Sequence, residues 1–324
     1  DAENPLSAKI VIIDESSMVD LPLMHRLLDA IPADARIILL GDKNQLASVQ
    51  VGTVLSDFMY AASENPSSPL GISSVTLKKS YRTQGPINAT CAQIRDGDAA
   101  GAWQTVLDSA KDAAGATIHQ QLPVRLRKSI TPFVEKHWLP ILENDSLSTA
   151  DKLAGIDRFR ILTPTHKGPY GISAINQAVE QVLASHGIDT QQVWYTGRSV
   201  LVQQNDHALG IYNGDTGLTG VDAEGNPCVS FAGTDGTRTF SPARIPEVST
   251  AWALTIHRTQ GSEYDHILLV IPPSEDSPIL SRELLYTGLS RAKKSATIWC
   301  SEQGFKQTVE STVQRASGLA VMFG

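Results

Sequence analysis

The residues of this chain whose types and spacing suit chemistry are a pair of carboxylates, an amide and two arginines. Asp14 and Glu15 follow the apolar run Ile10–Ile13, and Gln45 stands in GDKNQL after a second run, Ile37–Leu40. Adjacent carboxylates leaving a buried strand suit a Walker B site, where one holds Mg²⁺ and its neighbour orients or deprotonates an attacking water. Gln45, one crossover later, can reach that water or a terminal phosphate through an amide, a role that a charge fills poorly. Arg82 in KSYRT and Arg291 in LLYTGLSRAKK lie far downstream. Each alone has an ordinary reading as a solvated surface arginine, and a lone DE pair can be two surface acids. Together they suit a phosphate site shared between two domains, where an arginine contributes about 10³ to 10⁵ in rate.

The elements around these residues read as alternating strands and helices. Ile10–Ile13 and Ile37–Leu40 are short and rich in β-branched residues, which predicts buried parallel strands. Between them Asp20 can cap a helix with Pro22 in its first turn, and Leu21, Met24, Leu28 and Ile31 recur at helical spacing. A loop entering a helix over 47–62, the breaker cluster ENPSSPLG at 64–71 and a short apolar run at Val75–Leu77 place a domain boundary near 72–80. A helix from Pro86 to Arg95 can stop at Gly97, and 99–153 reads as mostly helical. Arg160–Thr163 reads as a strand, and Ile172, Ile175, Val179 and Val182 mark a helix ending at Gly187.

From 199 to 246 the texture changes to short alternating runs separated by ND, NGD, DAEGNP and GTDG, the pattern of a small antiparallel barrel. Strand and helix signals resume at Trp252–Thr255, Ile267–Ile271, Ser281–Leu289 and Ala296–Cys300, so the barrel is expected to be inserted in an α/β domain. Its Tyr212, Phe231 and Phe240 could stack on bases, but read better as its own core.

At 324 residues and 41% hydrophobic composition the chain can bury a sizeable core in about two domains. A net charge of −7 argues against a general basic coat while leaving room for a local phosphate channel. Cys91, Cys228 and Cys300 are few and far apart, and no HxxxH pair occurs, so neither a disulfide framework nor a structural metal is expected. No apolar run approaches a membrane span. The sparse cysteines fit a reducing, cytoplasmic setting, and the opening DAENPLSAKIVIID, with no initiator Met and no signal pattern, suggests a truncated chain.

DESSMVDLPLMHRLL, GDKNQLASV, KSYRT, WALTIHRTQGSEYDHILLVIP and LLYTGLSRAKK occur in the order and spacing of helicase motifs II to VI. On these the chain resembles superfamily 1 DNA helicases of the 5′-to-3′ subgroup, and among them the RecD family of exodeoxyribonuclease V alpha subunits; the closing RASGLAVMF fits the same family. The resemblance implies a RecA-like (P-loop NTPase) motor with an α/β fold. Residues 1–76 would be the remainder of a first RecA-like domain, 77–198 with 247–324 a second, and 199–246 an inserted SH3-like β-barrel.

It further implies ATP and Mg²⁺ as cofactors, with Asp14 on the metal, Glu15 as catalytic base, Gln45 as γ-phosphate sensor and Arg82 and Arg291 as clamps. Gly261 and Glu263 would reach the nucleotide. Thr255, His257 and Thr165 would lie along single-stranded DNA, although His257 can also be read as a satisfied interior histidine. The implied partners are single-stranded DNA, duplex ends and, for a true exodeoxyribonuclease V subunit, RecB and RecC in double-strand-break repair and recombination, with no membrane. A stand-alone RecD-like or conjugative relaxase-type helicase would need no such subunits. A nucleotide-incompetent assembly module is the contrasting reading, opposed by the joint presence of Glu15, Gln45, Arg82 and Arg291.

One departure bears on activity. No G-x-x-x-x-G-K-[ST] occurs in the chain, so the amides, lysine and hydroxyl that cradle phosphate and Mg²⁺ are expected upstream of Asp1. These 324 residues alone are therefore expected to hydrolyse little or no ATP.

Overall fold

The computed structural model describes residues 3–47, 54–77, 85–109, 115–234, 236–273 and 279–312. The chain opens with β1 (Ile10–Ile13), α1 (Leu21–Ala30) and β2 (Arg36–Leu39), followed by α2 (Val54–Glu64) and α3 (Pro69–Ser73). β1 and β2 pair in parallel, Ile10 opposite Arg36 and Ile13 opposite Leu39. Asp20 caps α1 by accepting from the Leu23 amide at 2.7 Å, as its position before Pro22 predicts.

The expected burial of these two strands is not found. Ile10 and Ile12 are 56% and 61% exposed, and Ile37, Ile38 and Leu40 also face solvent. This sheet has two strands among the described residues. Each strand therefore has a single partner, and side chains that a wider sheet would cover stay in water.

A second, larger unit follows. It contains α4 (Pro86–Asp96), α5 (Ala99–Ser109), β3 (Ala116–His119), α6 (Leu126–His137), α7 (Leu139–Leu142), α8 (Thr149–Ile156), β4 (Phe159–Thr163) and α9 (Ile172–Ser185). The inserted strands are β5 (Ser199–Val202), β6 (Thr216–Val221), β7 (Pro227–Gly233), β8 (Gly236–Phe240) and β9 (Val248–Thr250). Then come β10 (Ala253–Thr255), β11 (Tyr264–Val270), α10 (Arg282–Leu289), β12 (Ala292–Trp299) and α11 (Glu302–Glu310). Strands β10-β4-β11-β12-β3 form one parallel sheet in that order.

β3 corrects the reading of 99–153 as mostly helical. Its four residues carry too little periodicity to be told from helix, and pairing with the edge of β12 decides their conformation. Helices cover both faces of the sheet. Along β11, Ile267 and Leu269 enter the core that includes Ile94, Trp103 and Leu285, while Leu268 and Val270 enter the one that includes Val134, Trp138 and Val179. This period of two is what a strand buried on both sides requires.

The insertion is antiparallel, in the order β8-β7-β6-β5-β9. Among the described residues its ladder leaves β8 and β9 unpaired with each other. Val200, Val202, Ile211, Val229 and Phe231 form its own core, with Phe240 packed against it, while Tyr212 is exposed. Arg160 of β4, wholly buried, ties the insertion down: its guanidinium donates to the Ala251 carbonyl and pairs with Asp157, and Asp157 accepts from Thr216 Oγ1 at 3.3 Å. Cys91, Cys228 and Cys300 are free thiols in buried positions, and burial pushes the Cys91 thiol up to about 12. Among the described residues no helix is long and apolar enough to cross a membrane, and no cluster of His, Cys, Asp or Glu is placed to hold a metal ion by itself.

Candidate functional site

The carboxylate pair sits where β1 turns. Asp14 is exposed, with its Oδ1 accepting from the Glu15 amide at 2.8 Å. Glu15 has φ 50°, the left-handed region that a non-glycine residue enters at a cost of order 1–3 kcal/mol. Ser16 then locks this turn to the tip of β2, its amide and its Oγ both donating to the Leu40 carbonyl at 2.8 and 2.7 Å. Gly41 follows at that tip. A Cβ there would stand 2.7 Å from Leu55 Cδ2 and 3.0 Å from both Ser16 Oγ and the Ser17 amide nitrogen, so only glycine lets the two turns approach this closely. Beside them Ser17 Oγ is buried without a hydrogen-bond partner.

Residues 42–46 form the second turn, and it is held from the larger unit. Asp42 Oδ1 accepts from the Asn44 amide at 2.9 Å and from Asn44 Nδ2 at 3.1 Å, an Asx turn that sets up Gln45. Gln45 Oε1 accepts from Arg291 Nη2 at 3.0 Å. Arg291 is 1% exposed; its Nε donates to the Thr287 carbonyl and its Nη1 to the Ser262 carbonyl. Tyr286 donates its hydroxyl to Asp42 Oδ2 at 2.7 Å, Thr287 Oγ1 accepts from the Leu46 amide at 2.8 Å, and Gln260 Nε2 donates to the Leu46 carbonyl at 2.8 Å. Leu46 itself is buried in the core of the larger unit.

The structure thus brings Gln45 and Arg291 into contact across two units that are far apart in sequence, and joins the Asp14–Glu15 turn to the strand that delivers Gln45. Arg82 lies outside the described residues. Gly261 is exposed at φ 77°, and Glu263 pairs with Lys293 at 3.5 Å, next to the Ser262 carbonyl that Arg291 holds. Tyr286, Thr287, Gln260 and Asp42 were given no role from the sequence. Asp42-x-Asn44 is a legible Asx-turn signal, whereas nothing in the sequence indicates where the side chains of α10 point.

Thr255, His257 and Thr165 fall elsewhere. Thr255 ends β10 beside Thr163 of β4, at the carboxyl edge of the parallel sheet, while Gly261, Glu263 and Arg291 precede β11 and β12 at the opposite edge. Thr255 is buried, and its Oγ1 accepts from the Arg258 amide at 3.4 Å. It lines a groove of about 390 Å³ with His166, Asn176, Gln203 and Arg258, between α9 and the inserted sheet. Arg258 reaches across to Gln203 Oε1 at 3.2 Å and to Asn213 Oδ1. Thr165 adjoins His166, its carbonyl accepting from the Ile172 amide at 3.0 Å, and His257 is half-buried in the turn after β10. Residues 256–263 therefore run from the groove to the Gln45–Arg291 contact.

The carboxylates of Asp14 and Glu15, the Gln45 amide and the buried Arg291 guanidinium are of the chemical types that suit Mg²⁺ and the terminal phosphate of a nucleoside triphosphate. They suit that end of the nucleotide alone, because no phosphate-cradling loop is in the chain.

A family model described as an AAA domain matches residues 3–117, and one described as a UvrD-like helicase C-terminal domain matches 250–299. The RecBCD enzyme subunit RecD of Mycolicibacterium smegmatis is 35% identical over 98% of this chain and 54% of its own length. That of Mycobacterium tuberculosis is 36% identical with the same coverage. The chain therefore spans about half the length of the curated relatives it matches. Among solved structures, a Pif1 helicase from Candida albicans superposes with TM-score 0.52 at 16% identity, over 97% of this chain and 75% of that one. The fold is that of a RecA-like helicase motor.

Proposed function

We propose that this chain, a relative of RecD subunits along nearly its whole length, is the carboxyl-terminal motor portion of an ATP-dependent DNA helicase moving 5′ to 3′. The observation that carries this reading is the buried Arg291 donating to Gln45 across two units, beside an acid-bearing strand turn. Bound nucleotide would supply a γ-phosphate anhydride and, through Mg²⁺, a polarised phosphoryl group. Asp14 would hold the metal, and Glu15 would accept the proton of the attacking water. Arg291, joined by Arg82, would offset charge developing on the equatorial oxygens, and Gln45 would exchange its bond to Arg291 for one to the phosphate or the water.

Residues 256–263 give this chemistry a route to a strand held by Thr255, His257 and Thr165 in the groove beside α9. The inserted sheet is proposed to be SH3-like and to wall that groove. The domain limits are proposed as 1–76, 77–198 with 247–324, and 199–246. By the same reading the intact protein works in the cytoplasm with RecB and RecC on duplex ends, in double-strand-break repair and recombination, and supplies its phosphate loop from outside these residues.

The test is strand displacement by the intact protein on duplexes bearing a 5′ or a 3′ single-stranded overhang. ATP-dependent unwinding from the 5′ overhang is expected, with little from the 3′ overhang and little or no ATP hydrolysis by the 324 residues alone. Equal unwinding from both overhangs, or vigorous hydrolysis by these residues, would overturn the reading.

A further inference from the structure

Gln45 is held by what surrounds it more than by its own side chain. Its amide donates to the Asp42 carbonyl at 3.1 Å, inside the Asx turn that Asp42 Oδ1 builds with Asn44. The other oxygen of Asp42 takes the Tyr286 hydroxyl, and the next residue, Leu46, is gripped through its amide by Thr287 and through its carbonyl by Gln260. The two residues of α10 that touch the turn, Tyr286 and Thr287, lie five and four residues before Arg291, whose Nε donates to the Thr287 carbonyl. One short segment, 286–291, thus fixes the residues on either side of Gln45 and also presents the guanidinium that Gln45 meets.

We propose that Tyr286 and Asp42 are a positioning pair which, with Thr287, sets Gln45 against Arg291 for γ-phosphate hydrolysis. The proposal rests on the nucleotide-site reading given above and adds residues to it that touch neither nucleotide nor metal. Tyr286 suits the task because burial, and then the Asp42 charge, push its phenol up, so it stays protonated and donates at neutral pH. Asp42 suits it because a carboxylate has two acceptor oxygens, one for Asn44 and one for Tyr286, where an asparagine has one. Any rotation of α10 relative to β2 is passed to Gln45 through this pair, so phosphate sensing follows the relative position of the two units.

The experiment has two arms. In the intact helicase, Tyr286→Phe and Asp42→Asn are each expected to lower kcat for ATP about tenfold, with KM for ATP and affinity for single-stranded DNA within about twofold of wild type. The double variant is expected to be no slower than the slower single one, since both remove the same hydroxyl-to-carboxylate hydrogen bond. In the 324-residue chain, hydrogen exchange of the Leu46 amide is expected to quicken about tenfold in Tyr286→Phe while the amides of β4 keep their protection. Wild-type kcat in Tyr286→Phe, additive losses in the double variant, a rise in KM in place of a fall in kcat, or unchanged exchange at Leu46 would each overturn the proposal. Glu15→Gln is run alongside: normal turnover there defeats the nucleotide-site reading, whereas a dead Glu15→Gln beside a normal Tyr286→Phe defeats only the positioning pair.

Discussion

Ile12 in β1 and Ile161 in β4 occupy comparable places in parallel sheets, yet the first is 61% exposed and the second wholly buried. The larger sheet has five strands with helices on both faces; the smaller has two strands among the described residues. The acids stand on the sparsely covered sheet and the cation in the well-packed unit. Arg291 is fixed by carbonyls of its own unit, while Asp14 has the neighbouring amide of its own turn and the water around it. The proposed site, divided in this way, has one well-packed half that can impose geometry on the other. The cross-unit hydrogen bonds of Gln45, Asp42 and Leu46 run in that sense.

The sharpest way to break this comparison is to remove the well-packed half's cation. In the intact protein Arg291→Ala is expected to slow ATP turnover about 10³-fold. A loss below about tenfold would mean that the two units do not share a site. Next in size is the contrast in packing. Ile161→Ala should cost about 2–5 kcal/mol in urea unfolding of this chain, and Ile12→Ala less than about 0.5 kcal/mol. Equal costs would remove the distinction between the two sheets.

The smallest effect lies at the far end of α6, where His137 stacks on Phe159 with ring centroids 4.3 Å apart and stands 5.2 Å from His266. Burial, then the nearby charges of His266 and Lys136, lower its pKa from 6.5 to about 4. The folded state refuses a proton that the unfolded chain accepts. Its contribution is therefore present above pH 6.5 and lost as pH falls from there towards 4. Discounted for the solvent that reaches the ring, this amounts to ~1 kcal/mol. Thermal unfolding midpoints measured from pH 7 to 4 should fall less steeply in His137→Phe than in wild type, and parallel curves would contradict it.

How much of this was legible depended on the range of the cause. The crossover from Ile10 to Leu40, the Asp20 cap and the inserted antiparallel strands follow from local periodicity and turn chemistry, and all are found. Asp14, Glu15, Gln45 and Arg291 were singled out as residue types in motifs, and the structure sets Gln45 against Arg291. What failed depended on neighbours distant in sequence. Burial of Ile10–Ile13 needs strands that a local pattern cannot supply, β3 is defined by the edge of β12, and the grip of Tyr286 and Thr287 on 42–46 depends on how α10 docks. Arg82 lies outside the described residues, so its place beside Arg291 rests on the motif alone.

The claim that the Asp14–Glu15 turn and Arg291 serve one hydrolytic site is tested most directly by single-turnover phosphate release from the intact protein carrying Glu15→Gln, with nucleotide affinity measured in parallel. Phosphate release reduced by about 10³-fold or more, with affinity for ATP within about threefold of wild type, is the predicted result. Near-normal phosphate release would show that the carboxylate pair is not the hydrolytic centre and that the contact between the two units serves another purpose.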